Sequence, residues 1–172
     1  MKIFRADEMA QAQERLHKLK AQWHSGCVVC GTANALGLCL DFEVEEDGRV
    51  QAQFSCPREL AGFDDCLHGG VITALLDGAM TNCLFAHGQV GMTAELRIRF
   101  HEPVDTGRPA TVWAKIERSG TGLQLLHAEL VQGGKIKAVA AGKFMAPPPA
   151  VRKIQTEKVE NKIKRDPQEE EK

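Results

Sequence analysis

An apolar pattern follows directly after a His-Gly-Gly turn in this chain. From about Val71 to Phe85 the apolar residues lie on several sides of a 3.6-residue repeat. This pattern predicts a helix that is wrapped by the rest of the fold. Gly88 supplies its stop signal. One carboxylate, Asp77, lies in the middle of the helix. A buried, unpaired Asp is unfavourable unless it is hydrogen-bonded or protonated, so Asp77 is a candidate functional residue.

Alternation of apolar and polar residues predicts strands on both sides of this helix. A hairpin over residues 38–56 turns at Asp47-Gly48, and residues 57–70 are predicted as a loop. Three or four further strands are predicted, over residues 92–104, 108–120, 123–134 and 135–147. One helix can cover one face of such a sheet. We therefore predict an α+β fold in which a curved antiparallel sheet wraps one long central helix.

The two ends of the chain differ from this central pattern. Residues 6–24 place Met9, Ala12, Leu16, Leu19 and Trp23 on one stripe, which predicts an amphipathic helix packed on the domain or on its partner. Residues 147–172 begin with three prolines and continue as a charged tail, which predicts a frayed helix or disorder. The predicted organisation is therefore an N-terminal helix at 1–24, a globular domain at 25–146 and a tail at 147–172.

Composition narrows the class of protein further. The chain has 172 residues, of which 43% are hydrophobic, and a formal net charge of -1. This balance gives no large field for nucleic acid or anionic lipid. No apolar run approaches the ~20 residues of a membrane span, and the N-terminus becomes polar too early for a signal peptide. We therefore expect a soluble cytoplasmic protein without nucleic-acid or membrane partners, whose six cysteines are free thiols or metal ligands.

Three stretches together resemble a known family. They are HGGVITALLD, then MTAELRIRFHEPVDTG, then strands that end in AAGKFM. The combination resembles the PaaI-like hot-dog thioesterases of the thioesterase superfamily over residues 25–146, and the opening CVVCG resembles a subset of them. The resemblance implies a hot-dog fold, hydrolysis of an acyl-CoA thioester, and a homodimer, often a dimer of dimers, with its site at the subunit interface. Coenzyme A would enter as part of the substrate, so no cofactor is expected.

The resemblance also assigns roles to residues. Asp77 matches the catalytic carboxylate, as general base on water or as nucleophile, and the Gly69 backbone N–H matches the donor that polarises the thioester carbonyl. Thr93 matches a position that holds the attacking water. From the sequence alone, Asp77 could equally be hydrogen-bonded to a turn and Thr93 could be an ordinary strand residue. Asp77 lies ~10 Å along the helix from its start, so a two-fold partner would bring it opposite Gly69.

The remaining candidates concern substrate binding. His68 and Gly70 belong to the turn, where His68 is expected to orient the backbone through hydrogen bonds. Ser119-Gly120 offers a backbone nest for the phosphates of coenzyme A. Basic side chains nearby in the strands are further candidates for those phosphates: Arg97, Arg99, Lys115 and Arg118. Asp64 and Asp65 precede the turn and are expected to be solvated loop acids.

One departure from the family pattern leaves a second function open. Many members carry Asn or Gln six residues before the His of the turn, and this chain has Gly62 there. The alternative is therefore a non-catalytic acyl-CoA-binding or regulatory protein. Residues 63–68 lack the Asp-x-Asn-Pro-x-His motif of hot-dog hydratases, which disfavours hydratase chemistry.

His24-x-x-Cys27-x-x-Cys30 has the spacing of metal ligands. A structural zinc site normally has four ligands, and no second CxxC pair exists in the sequence. We therefore predict no metal site and expect these thiols to pack in a loop near the mouth of the active site.

Overall fold

A six-stranded antiparallel sheet forms the body of the fold in the computed structural model, which describes residues 3–151. The strand order is β1-β2-β6-β7-β8-β5, and a separate two-stranded sheet pairs β3 with β4. The elements are α1 (Ala6–Trp23), β1 (Glu43–Val44), β2 (Val50–Phe54), β3 (Ala61–Phe63), β4 (Cys66–Leu67), α2 (Gly69–Ala86), β5 (Met92–Phe100), β6 (Ala110–Gly120), β7 (Leu123–Gln132) and β8 (Lys135–Met145).

The sheet wraps around α2, as the sequence predicts. This helix packs against α1 and against strands β2, β5, β6, β7 and β8. Its residues from Gly78 to Ala86 are all buried. Hydrophobic burial on nearly every side fixes α2 as the axis of the core. The predicted α+β class, with a central helix and an N-terminal helix, is confirmed.

The length and composition of α2 also match those of a membrane-spanning helix. Its 18 residues have a mean hydropathy of 1.3, and 67% of them are buried inside the fold. In length, α2 comes closer to a membrane span than the apolar runs of the sequence indicate. The core helix of a wrapped fold has the same composition, because both environments exclude water.

Helix α1 lies against α2 through its apolar stripe. Ala12 and Leu16 are fully buried, whereas Met9, Leu19 and Trp23 are half-buried. Gln13 joins the helix to the next segment, because its side chain donates to Phe42 O and accepts from the Val44 N–H. The predicted tail extends beyond the described residues from position 152 onward.

The first predicted hairpin is shorter than its alternation indicates. Leu40, Phe42 and Val44 are buried on alternate positions, but regular pairing is confined to Glu43–Val44 opposite Val50–Gln51. The N–H groups of Leu38 and Leu40 donate instead to Val28 O and Val29 O. A loop that competes for these backbone donors shortens the strand without changing which side chains face the core.

The prediction of a loop over residues 57–70 is wrong in one respect. A 3-10 turn at Arg58–Leu60 leads into β3, which pairs antiparallel with β4. Asp65 adopts a positive φ of 58° in the connection. This small sheet ends at Leu67 and delivers the chain directly to His68, the first residue of the turn.

Candidate active site

The N-terminus of α2 presents one free backbone donor. His68 is the N-cap, and its Nδ1 accepts the Gly70 N–H at 2.8 Å. No acceptor among the described residues takes the Gly69 N–H. A Cβ built on Gly69 would lie 3.6 Å from the Phe100 ring and near no other group. The Gly69 N–H is therefore an open donor at the positive end of a helix, where a developing negative charge is stabilised.

Asp77 is held by one hydrogen bond and keeps one oxygen free. The Thr93 hydroxyl donates to Asp77 Oδ1 at 2.6 Å, which joins α2 to the beginning of β5. Oδ2 has no partner among the described residues and is not fully buried. The side chain as a whole is half-buried. A water molecule can therefore reach Oδ2 while Thr93 fixes the orientation of the carboxylate.

The surroundings of Asp77 act on its ionisation. Burial raises the pKa of Asp77 above its ordinary value, the Thr93 hydrogen bond and nearby His24 lower it, and Cys27 raises it. The net direction is upward. A carboxylate with a raised pKa is a stronger base, which suits proton abstraction from water.

Asp77 and Gly69 do not meet within one chain. Eight residues separate them on α2, which is about 12 Å along the helix axis. This separation is long for one chain to donate the Gly69 N–H to a thioester carbonyl oxygen and also to direct a water from Asp77 at the carbon of the same group.

The predicted phosphate-binding residues lie farther away. Paired positions across the sheet put Thr93, Phe144, Gln124 and Ser119 in one row. Three strand spacings therefore separate Ser119 from Thr93, about 14 Å. Gly120 is the last residue of β6, next to Ser119, and its carbonyl accepts from the Gln124 side chain.

The basic side chains of the strands are exposed. Arg97 pairs with Glu95 at 2.8 Å, whereas Arg99, Lys115 and Arg118 have no ion pair among the described residues. In the loop before the turn, Asp65 pairs with exposed Arg58 at 3.3 Å.

Gly62 leaves space that the His68 ring occupies. A Cβ at Gly62 would lie 3.0 Å from His68 Cδ2 and 3.2 Å from His68 Cα. An amide side chain at this position would therefore crowd the N-cap residue. The glycine at position 62 therefore leaves room for the His68 side chain at the turn.

The loop after α1 also reaches the neighbourhood of Asp77. Val29 packs on Gly78, where an added Cβ would approach Val29 Cγ1 to 2.6 Å. His24 and Cys27 act electrostatically on Asp77. From the sequence, these thiols are expected near the mouth of the site but have no role there. Spacing along the chain does not reveal which loop packs against which face of the helix.

Two surface grooves, about 610 and 520 Å³, lie elsewhere on the chain. One is bordered by α1, the β1–β2 turn and His87, and the other by residues 37–41 and 53–57. Neither is lined by Asp77 or Gly69.

A family model and a curated relative both match parts of this chain. The family model described as the thioesterase superfamily matches residues 65–139, from the end of the β3–β4 connection into β8. A curated relative from Saccharolobus solfataricus, described as a candidate esterase, is 30% identical over 96 residues. The match covers 55% of this chain and 63% of that relative.

Solved structures show the same fold. The Escherichia coli PaaI protein from the phenylacetic acid degradation operon aligns with a TM-score of 0.68 and 19% identity, over 81% of this chain and 96% of that one. A Streptococcus mutans protein, solved bound to acetyl CoA, aligns with a TM-score of 0.59 and 16% identity, over 63% of this chain and 88% of that one. At these identities the structural matches demonstrate a shared fold.

Proposed function

We propose that this chain hydrolyses an acyl-CoA thioester to the free acid and coenzyme A, because a thioesterase-superfamily model matches residues 65–139 and the chain shares the fold of the PaaI protein. The observation that carries the proposal is the state of Asp77, a half-buried carboxylate with one oxygen bound by Thr93 and the other free. The Streptococcus mutans neighbour bound to acetyl CoA supports coenzyme A as the substrate's carrier group.

In the proposed reaction, Asp77 Oδ2 removes a proton from a water molecule that attacks the thioester carbon. The carbonyl oxygen becomes an oxyanion and accepts the Gly69 N–H of a second chain. Collapse of the tetrahedral intermediate breaks the C–S bond, and the coenzyme A thiolate takes the proton that Asp77 removed. Alternatively, Asp77 attacks the carbon itself and water hydrolyses the resulting anhydride. A single turnover in ¹⁸O-water separates direct attack by water from an anhydride that water opens at the Asp77 carboxyl carbon. The first puts ¹⁸O in the product acid, whereas the second puts ¹⁸O on Asp77 and an Asp77 oxygen in the product acid.

A homodimer is part of the proposal because the two groups are about 12 Å apart on one helix. Strand β5 is an edge of the sheet and carries exposed apolar residues, Met92 at 47% and Phe100 at 53%. Phe100 also lies beside Gly69. A second copy that covers this region would bury those side chains and bring its own Asp77 opposite Gly69. Such dimers would pair further into a dimer of dimers.

The test is release of free thiol from a panel of acyl-CoAs by the wild type and by Asp77→Asn. We expect turnover by the wild type and a loss of about 10²–10⁴-fold in the variant, because Asn cannot accept the proton. The melting temperature of Asp77→Asn should equal or exceed that of the wild type at neutral pH. The reason is that a folded-state pKa above the ordinary value makes the ionised carboxylate a stability cost at higher pH.

Asp64→Asn is the matched control, since Asp64 is an exposed loop acid and should leave turnover unchanged. Full activity in Asp77→Asn would refute the assignment of Asp77. Binding of acyl-CoAs by the wild type without thiol release from any of them would instead support the non-catalytic binding protein.

A further inference from the structure

The loop after α1 holds an imidazole and two thiols close together. A ring nitrogen of His24 and the Sγ atoms of Cys27 and Cys30 all lie within 4.8 Å of one another. Cys30 Sγ is 3.9 Å from His24 Nδ1. The proposed hydrolysis uses none of these three residues, which we call the His-Cys-Cys cluster. We propose that this cluster binds one Zn²⁺ ion, a site that is independent of whether Asp77 hydrolyses thioesters.

Two successive backbone turns bring the three side chains together. The Cys27 N–H donates to His24 O, and the Gly31 N–H donates to Cys27 O, each at 3.0 Å. Side chains three residues apart therefore project from the same side of the loop. A Cβ on Gly31 would collide with the backbone of Cys27 and Ser25. The second turn closes at that position because it carries glycine.

One sulfur atom of the cluster accepts a backbone N–H. The Val29 N–H donates to Cys27 Sγ at 3.4 Å. A donor of this kind stabilises sulfur as thiolate, the form that binds a metal.

The position of His24 favours a metal over a redox-active pair of thiols. Its backbone N–H is fixed to Lys20 O at the end of α1, and its ring lies edge-on to Phe85 at 5.0 Å. A disulfide requires no imidazole within 4 Å of a sulfur, whereas thiolate and imidazole together are a preferred ligand set for zinc. Tetrahedral zinc places its ligand atoms about 3.5 Å apart, so small side-chain rotations would suffice.

Three protein ligands leave one tetrahedral position open. His24 and Cys27 are half-buried, so solvent can supply the fourth ligand, while Cys30 is fully buried. The metal would join the end of α1 to its loop, in which Val29 packs on Gly78 of α2, the residue after Asp77. Its role would be to hold this loop against the helix that carries the catalytic carboxylate.

The test loads the full chain with Zn²⁺ and removes unbound metal by dialysis. Bound zinc is then measured by inductively coupled plasma mass spectrometry. We expect about one zinc per chain in the wild type and loss of bound zinc in Cys27→Ser and His24→Ala. Cys39→Ser is the matched control, because Cys39 lies in the same loop region, is exposed and is outside the cluster. It should retain the wild-type zinc content, and zinc should raise the melting temperature of the wild type and of Cys39→Ser alone.

Cobalt gives a spectroscopic readout of the same site. Wild-type protein reconstituted with Co²⁺ should show thiolate-to-cobalt charge transfer and the visible bands of tetrahedral cobalt, and Cys27→Ser should weaken both. Folded wild-type protein with no bound zinc and no such bands would overturn the proposal. So would a peptide map that finds a Cys27–Cys30 disulfide in the presence of zinc, because the disulfide would then occupy the site.

Discussion

At the scale of single residues, burial and hydrogen bonding act on Asp77 in opposite directions. Burial raises its pKa, and the Thr93 hydroxyl, by stabilising the carboxylate, lowers it. Thr93 is exposed, so its hydroxyl can be removed without opening the core. The hydrogen bond thus sets both the orientation and the ionisation of the proposed base.

Thr93→Val should move the acid limb of the pH–rate profile to higher pH. The carboxylate must be ionised to act as a base, and removing a bond that lowers its pKa raises the pH at which ionisation occurs. The measurement is kcat/KM against pH, with the zinc content of the variants and the wild type held equal. Thr93→Ser keeps the hydroxyl and should keep the wild-type limb, and a profile for Thr93→Val that superimposes on the wild type would contradict this account.

Gly69 allows the oxyanion donor to be deleted as a single N–H group. It is the first residue of α2, where proline fits the helix, and His68 before it is extended with φ -62° and ψ 134°, as a residue before proline requires. Gly69→Pro should reduce kcat by about 10²–10³-fold. Gly69→Ala keeps the N–H and adds a Cβ in ordinary contact with Phe100, so it should remain largely active. Equal activities of the two variants would exclude the Gly69 N–H as donor.

At the scale of elements, the close approach of β8 to α2 determines how tightly the sheet wraps the helix. Gly142 in β8 faces Met80, which is fully buried. A Cβ there would lie 2.6 Å from Met80 Sδ and 2.8 Å from Phe144 Cε2. The strand passes over the helix at this point because it carries no side chain.

Gly142→Ala should therefore destabilise the fold by about 1–3 kcal/mol, the usual effect of overpacking a core. Gly120→Ala is the matched substitution at the end of β6, where the added Cβ would meet Leu123 O at an ordinary 3.4 Å. It should change the free energy of unfolding by less than about 0.5 kcal/mol. Urea unfolding of both variants measures the difference, and equal midpoints would mean that Met80 moves aside without cost.

At the scale of the whole molecule, the proposed site requires two chains. The separation of Gly69 and Asp77 along α2 and the exposed apolar residues of β5 both favour a site shared across a two-fold axis. In such a dimer each site takes Gly69 from one chain and Asp77 from the other. A defect in one residue can then be compensated by the partner.

Co-expression of Asp77→Asn and Gly69→Pro chains under different tags tests this arrangement. Each homodimer should be inactive, whereas a mixed dimer contains one intact site and should show about half of the wild-type activity per dimer. The comparison uses dimers purified through both tags, with size-exclusion and light scattering to verify their mass. Mixed dimers as inactive as the parents would refute the shared site.

The sequence by itself determined the elements and their order along the chain. Periodicity was sufficient for α1, α2 and the four long strands, because residues that alternate or recur at 3.6 positions can bury their apolar groups in one way. It also identified Asp77 as a polar residue within an apolar helix. These features depend on the spacing of residues along the chain, which is a property of the sequence and does not depend on the tertiary structure.

The tertiary structure decided the contacts that residue spacing along the chain does not encode. It shortened the first hairpin, because Val28 and Val29 accept the N–H groups of Leu38 and Leu40, and it formed β3 and β4 from a stretch without periodicity. It joined Thr93 to Asp77, and it brought the His-Cys-Cys cluster against the same helix. Each is a contact between segments distant along the chain, and its free energy depends on how the whole sheet closes around α2.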